Sequence, residues 1–231
     1  MANKIRTILI GDIHGCIDEF NELLKTLSYS PFTDRVILLG DLINRGPDSI
    51  GVIRKSRELN LESVLGNHEH KFLKWQRSNY KPKKSLYTQF NNKDIEYISK
   101  MPTYIEIDGG LAVHAGLKPG IAVSKQSKDD LLYLRYFDDL GNFISLKTIE
   151  QIGKEKAGAY FWVERWTGPD SVVYGHSVNS LTSPSIEEVR PNIFCYGLDT
   201  GCCFGGRLTA LIWESKEIIQ VNAKQNYCNG G

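Results

Sequence analysis

Aspartate, asparagine and histidine recur in this chain at the ends of apolar runs. Ile8-Leu9-Ile10 leads into Gly11-Asp12-Ile13-His14-Gly15, and Val36-Ile37-Leu38-Leu39 leads into Gly40-Asp41. Val64-Leu65 leads into Gly66-Asn67-His68-Glu69, Leu111-Ala112-Val113 into His114, and Val172-Val173-Tyr174 into Gly175-His176. Oxygen and imidazole donors of this kind suit a hard-to-borderline divalent metal, and there are enough of them for two ions. Two ions at one site are suited to hydrolysing phosphate esters and anhydrides, so the pattern predicts a phosphohydrolase. Four of the five histidines fall in these segments, each within two residues of a glycine. A satisfied core or surface histidine is the ordinary reading of any one of them, but it would have to hold four times over. Only His70 is left for it, and His70 is assigned to a helix surface.

The spacing suggests individual roles. Asp12 and His14 stand two apart at a strand end, so their side chains can face the same side of the backbone. Asp41 is suited to bridging, because one carboxylate can offer an oxygen to each ion. A helix-capping role for Asp41 would leave Arg45 and Gly46 unexplained. Arg45 offers a planar fork for phosphate oxygens. Asn67 can give its carbonyl oxygen to a metal. His68 follows it directly and suits a general acid that protonates the leaving oxygen without being a ligand. His114 and His176 would complete the second ion's set.

These residues need elements that return them to one edge. The apolar runs read as buried strands, and in α/β sheets ligands gather at the carboxyl ends of strands. Residues 17–27 carry Ile17, Phe20, Leu23, Leu24 and Leu27 at helical spacing. Residues 35–39 form the next strand, and Pro47 and Asp48 open a helix. Residues 62–65 form a third strand, followed by a helix over 68–77. Asp12 to Asp41 and Asp41 to Asn67 each match one strand–helix–strand unit of about 30 residues. The second half reads differently. Short strands at 111–113, 172–174, 193–196, 208–213 and 218–221, bordered by turn signals such as Gly109-Gly110, predict a second, mainly antiparallel sheet packed on the first. Residues 129–166 read as helix and loop crossing near the site, with Arg135 isolated among apolar neighbours.

Composition excludes several classes. A chain of 231 residues, 41% hydrophobic and 24% charged, can fill one core. It has no linker, repeat or low-complexity run, so residues 1–231 are read as a single domain. The formal net charge of +1 argues against a general nucleic-acid coat or membrane-surface protein. No apolar stretch approaches the roughly 18 residues of a membrane span. Residues 1–6 pass straight into the first strand, with no room expected for a signal peptide. Five cysteines, two of them adjacent at Cys202-Cys203, suit neither a disulfide framework nor a CxxC zinc site. A cytoplasmic location is therefore expected. Lys71, Lys74, Arg77, Lys81, Lys83 and Lys84 make a basic stretch that could attract polyphosphate, although a solvated face explains it equally well.

The ordered set of Gly11 to Gly15, Gly40-Asp41 with Arg45-Gly46, Gly66 to Glu69, His114-Ala115-Gly116 and Gly175-His176 resembles the phosphoprotein-phosphatase branch of the calcineurin-like metallophosphoesterases. The resemblance runs from about residue 6 to 214. It implies an α/β fold in which a two-sheet β sandwich is flanked by helices. It also implies a binuclear centre of Asp12, His14, Asp41, Asn67, His114 and His176, with His68 as general acid and Arg45 and Arg135 clamping phosphate. Manganese is expected first, and iron, cobalt, nickel and zinc accept the same ligands.

Within that branch, Gly15-Cys16, Gly40-Asp41-Leu42 with Arg45-Gly46-Pro47, Leu134-Arg135-Tyr136-Phe137 and the segment from Leu198-Asp199 to Leu208-Thr209 look most like the symmetrical bis(5'-nucleosyl)-tetraphosphatases. The Asp199 segment also resembles bacterial serine/threonine phosphatases. Protein phosphatases have Asp-Arg-Gly where this chain has Asn44-Arg45-Gly46. The missing acid would normally pair with the general-acid histidine and raise its pKa, and Asn44 supplies no charge. This departure favours a dinucleoside polyphosphate as substrate. The chain is also shorter than the usual nucleotide hydrolase of this type, between His114 and Arg135. An open site there keeps a phosphoprotein substrate, and a serine/threonine protein phosphatase activity, as the alternative. A capped RNA end is a further candidate, and the sequence defines no oligomeric state. An idle relative acting as a binding protein is a third reading, but every expected ligand is present.

Overall fold

The computed structural model describes residues 5–78 and 85–228. In chain order the first half comprises β1 (Arg6–Ile10), α1 (Ile17–Thr26), β2 (Asp34–Leu38), α2 (Ser49–Glu58), β3 (Glu62–Ser63), α3 (Asn67–Arg77), α4 (Asn92–Ser99), β4 (Tyr104–Ile107) and β5 (Gly110–Val113). Then follow α5 (Lys128–Tyr133), β6 (Tyr136–Phe137), β7 (Phe143–Ile144), α6 (Leu146–Ile152), β8 (Tyr160–Phe161) and β9 (Ser171–Tyr174). The chain closes with β10 (Ser185–Arg190), β11 (Ile193–Gly197), β12 (Arg207–Ile212) and β13 (Glu217–Asn222).

Two five-stranded sheets form the centre, ordered β13-β12-β1-β2-β3 and β10-β11-β9-β5-β4. The strand sequences explain why these sheets pack. In β1, Ile8 and Ile10 join the core under α1, α2 and α3, whereas Leu9 faces the second sheet. Val36 and Leu38 divide from Ile37 in the same way, and on the second sheet Val172 and Tyr174 divide from Val173. With a period of two, a continuous apolar run buries both faces at once. Leu9, Ile37, Ala112, Val173, Tyr196 and Leu211 meet in the layer between the sheets.

The helices follow local signals. Asp48 caps α2 by accepting from the Gly51 N–H at 2.7 Å, so that helix begins at Ser49, just after the expected start. Asn91 and Asp94 form a reciprocal cap on α4, and the fully buried Asp94 carboxylate is met by Arg54 and Arg57 of α2.

Three expectations need correction. The strands at 208–213 and 218–221 belong to the first sheet, where β12 lies antiparallel to β1 with Ile8 opposite Ile212. Leu208, Ala210 and Ile212 thereby complete the core beneath the helices. The second sheet is mixed rather than mainly antiparallel, because β5, β9 and β11 run parallel at its centre. Parallel neighbours require long crossovers, and the segments at 114–170 and 175–192 supply them. Residues 129–166 hold more than helix and loop. They include a small sheet ordered β7-β6-β8. Of the basic stretch, Lys81, Lys83 and Lys84 lie outside the described residues.

One buried side chain ties the loops after β2 and β3. The Glu69 carboxylate accepts N–H bonds from Asp41, Leu42, Ile43 and Gly66 at 2.9–3.1 Å. Glu69→Ala would strand four buried donors, a loss of about 3–5 kcal/mol. Urea denaturation should show a lowered midpoint, with Glu69→Gln falling between wild type and Glu69→Ala because it keeps one acceptor oxygen.

Candidate metal and phosphate site

Each candidate donor stands just past the carboxyl end of a strand. Asp12 and His14 follow β1, Asp41 follows β2, Asn67 opens α3 after β3, His114 follows β5 and His176 follows β9. The first sheet supplies the first four and the second sheet the last two, so the packing of two sheets assembles the cluster. The backbone is bent sharply to do this. His14, Asp41 and His176 adopt left-handed φ values of 47°, 50° and 64°, which non-glycine residues seldom occupy outside functional sites. Gly40 lets the chains meet, since a Cβ there would lie 2.7 Å from the Gly66 nitrogen.

Asp41 sits at the centre. Its Oδ2 is 3.5 Å from His14 Nε2 and 3.8 Å from His68 Nε2, while its Oδ1 is 3.4 Å from His114 Nε2. The His68 N–H donates to Asp41 Oδ1 at 2.9 Å, and the His176 N–H donates to the Asp12 carboxylate at 3.0 and 3.2 Å. The donor atoms of Asp41, His114 and His176 lie within 4.8 Å of one another, and so do those of His14, Asp41 and His68.

The hydrogen bonds settle which ring nitrogens are free. His14 Nδ1 lies 3.0 Å from the Ile43 carbonyl and His114 Nδ1 lies 2.7 Å from the Leu39 carbonyl. A carbonyl only accepts, so both Nδ1 atoms carry the proton and both Nε2 atoms present a lone pair. Those lone pairs face acceptors: Asp41 oxygens, and Asn67 Oδ1 at 3.0 Å from His114 Nε2. His176 Nε2 is buried with no partner at all. Burial pushes the His114 imidazole down to about 3 and those of His14 and His176 well below the ordinary value. Burial also drives Asp41 up to about 7, and drives Asp12 well above the usual carboxylate range with help from Asp199 and Asp41. Acceptor facing acceptor inside a desolvated cluster is the arrangement that divalent cations would satisfy, and the donor set fits them.

The cavity above this cluster holds about 490 Å³. Arg45 and Arg135 both line it, as do Lys71 and His68. Arg45, itself at a φ of 69°, lies with its guanidinium carbon 4.9 Å from the Phe204 ring centroid. Arg135 Nη2 donates to the His176 carbonyl at 2.6 Å. Asn44 Nδ2 is 2.8 Å from His68 Nδ1 and 3.1 Å from the Tyr87 hydroxyl. The cluster therefore brings together Asp12, His14, Asp41, Asn67, His68, His114 and His176, with Arg45 and Arg135 over it. His70 differs from the expectation. It is buried, with Nδ1 3.2 Å from the Tyr133 hydroxyl, because α5 covers that face of α3.

Sequence reasoning passed over Asp199 as a site residue. This buried carboxylate lines the cavity, and its charge pushes up Asp12 and Asp41. The signal was present, since Asp199 follows the buried strand β11 as Asp12 follows β1. Phe204 and Tyr133 also line the cavity. They carry no chemical signature and are brought in only by the fold.

This fold and this cluster define a class: the chain belongs to the calcineurin-like phosphoesterases, whose family model matches residues 5–211, and it is a metal-dependent phosphohydrolase. Among its relatives, a symmetrical bis(5'-nucleosyl)-tetraphosphatase of Photorhabdus laumondii is 31% identical over 91% of this chain and 94% of that protein. An asymmetrical bis(5'-nucleosyl)-tetraphosphatase, PrpE of Oceanobacillus iheyensis, is 28% identical over 95% of this chain and 93% of that protein. A solved structure described as a candidate diadenosine tetraphosphatase superposes with a TM-score of 0.80 at 31% identity, covering 96% of this chain and 95% of its own. Among the described residues, no helix is long and apolar enough to cross a membrane.

Chelation supplies a direct check on the metal dependence. A divalent ion at about 100 times its Kd contributes roughly 2.7 kcal/mol, which is roughly 5–10 °C in a chain of this size. EDTA should therefore abolish hydrolysis of an aryl phosphate and lower the melting temperature by that amount. Manganese should restore both.

Proposed function

We propose that this enzyme hydrolyses a phosphoanhydride, cleaving dinucleoside tetraphosphates symmetrically into two nucleoside diphosphates. The observation that carries this reading is the pairing of His68 with Asn44, a neutral amide, at 2.8 Å. The relatives support the substrate class rather than the mode of cleavage, since both symmetrical and asymmetrical tetraphosphatases are among them. We assign one ion to Asp12, His14 and Asp41 and a second to Asp41, Asn67, His114 and His176. The two oxygens of Asp41, aimed at different histidines, support its place as the shared ligand. When bound, the ions supply an acidified water and neutralise charge on the phosphoryl oxygens. Saturation with manganese, which thiolates take poorly, should give about two ions per chain. Asp41→Asn should drop this below one, and a single ion in the wild-type protein would end the assignment.

Arg45 and Arg135 then hold the phosphoryl group in line. His68 acts at the departing oxygen. An Asn44 amide donating to Nδ1 leaves the proton of the neutral ring on Nε2, which lies on the Asp41 side facing the cavity. A neutral ring is a weak acid, adequate for a nucleotide phosphate that departs readily and poor for a serine alkoxide. His68→Asn should lower kcat by roughly 10²–10⁴-fold on a substrate with a poor leaving group. The loss should shrink on an activated aryl phosphate, and equal losses on both would remove His68 from this role. The unpaired state of all five cysteines accords with a cytoplasmic location.

The substrate is tested by competition. Diadenosine tetraphosphate should be turned over at least tenfold better in kcat/KM than a phosphoserine peptide, a preference of about 1.4 kcal/mol. ADP should be the only nucleotide product. ATP plus AMP would overturn symmetrical cleavage alone, and a tenfold preference for the peptide would overturn the nucleotide reading. Asn44→Asp should gain more on the peptide than on the tetraphosphate.

A further inference from the structure

A second group of metal-binding side chains lies behind the phosphate cavity. Cys16 precedes the first turn of α1, Glu19 completes that turn, and Cys202 comes from the loop between β11 and β12. The two sulfurs and a Glu19 carboxylate oxygen lie within 4.8 Å of one another. All three residues are essentially sealed from solvent, at 0%, 0% and 1% exposure. The sequence gives no CxxC spacing here, because the two cysteines are brought together only by the packing of α1 against that loop.

Glu19 supplies the independent observation. Its Oε1 accepts the Lys224 N–H at 2.8 Å and the Tyr227 O–H at 2.7 Å. Its Oε2 is buried with no hydrogen-bond partner. Lys224 sends its ammonium to Asp18 instead, so the buried carboxylate receives no cationic side chain from that residue. A buried carboxylate oxygen left bare is costly. The Glu19 carboxylate sits beside two sulfurs that a cation could join to it.

We propose that Cys16, Glu19 and Cys202 hold a zinc ion, separate from the catalytic pair. Two thiolates and a carboxylate suit zinc better than the hard ions favoured by an Asp–Asn–His set. With Zn–S about 2.3 Å and Zn–O about 2.1 Å in a tetrahedral site, donors on one zinc lie roughly 3.6–3.8 Å apart. The three donors lie within 4.8 Å of one another, so reaching that spacing needs a closure of about 1 Å at most. Binding forms two Zn–S bonds and one Zn–O bond and releases the two thiol protons.

The consequence is mechanical. Gly15-Cys16 directly follows His14, and Cys202-Cys203 lies between Asp199 and Phe204. Cys203 Sγ is 4.0 Å from Arg45 Nη1. The ion would staple the loop after β1 to the loop that carries Asp199 and the ring under Arg45. This inference stands apart from the choice of phosphate substrate.

Cobalt substitution tests it, because the catalytic donor set contains no sulfur. Reduced, metal-stripped full-length protein is titrated with Co²⁺ and read in the near ultraviolet. A thiolate-to-cobalt charge-transfer band should appear, vanish in Cys16→Ser and in Cys202→Ser, and persist in Cys203→Ser. Zinc content after dialysis should fall from about three to about two ions per chain in the first two variants. Glu19→Gln, which preserves shape, should weaken zinc retention without removing the band, so a misfolded serine variant does not decide the matter. A protein that binds cobalt with no such band overturns the proposal. So does a band that survives both serine variants, or a thiol count that finds Cys16 and Cys202 joined to each other under reducing conditions.

Discussion

Burial of both faces of both sheets is the constraint on which the rest of this molecule depends. Strands such as β1 and β9 carry continuous apolar runs, Ile8 to Ile10 and Val172 to Tyr174, that contribute to a core on each side. Polar groups have no place along those runs, so the chemistry is expelled to the strand ends. There the backbone must turn at once toward a helix or a neighbouring loop, and three donor residues accept left-handed conformations to do it. The strain of roughly 1–3 kcal/mol at each is sustained because the flanking strands are fixed by the core.

A second layer of organisation holds those turns in register. Glu69 reaches from the first turn of α3 to gather the N–H groups after β2 and the N–H of Gly66. Leu39 and Ile43 spend their carbonyls on His114 and His14, which fixes the tautomers and aims the lone pairs inward. None of these supporting groups faces the cavity. They determine the geometry of the residues that do.

The electrostatics follow from the same burial. Asp12, Asp41 and Asp199 crowd a desolvated volume in which burial raises all three, Asp199 adds to the charging cost of Asp12 and Asp41, and Asp41 adds to that of Asp12. Arg45 and Arg135 offset part of this from above, and Arg45 keeps its orientation over Phe204. Such a cluster is built to be completed by cations, which makes metal binding and the ionisation of its acids one process. Asn44 departs from that pattern of charge. It gives His68 orientation without a countercharge.

Much of the site was legible in the chain itself, because its grammar is local. An apolar run, a glycine and then Asp, Asn or His reports a strand end, and the spacing of about 30 residues between Asp12, Asp41 and Asn67 reports strand–helix–strand units that return to one edge. What could not be read was any relation across the two halves. The antiparallel seating of β12 beside β1, the parallel centre of the second sheet, the burial of His70 under Tyr133 and the entry of Asp199 all depend on contacts between segments distant in sequence. Local pattern specifies which face of a strand is buried but not which partner buries it. The amino-acid sequence by itself thus determined the donor set and the edge where it gathers. Only the tertiary structure decided which loops meet there, because the pairing of strands is set by how the two cores fill.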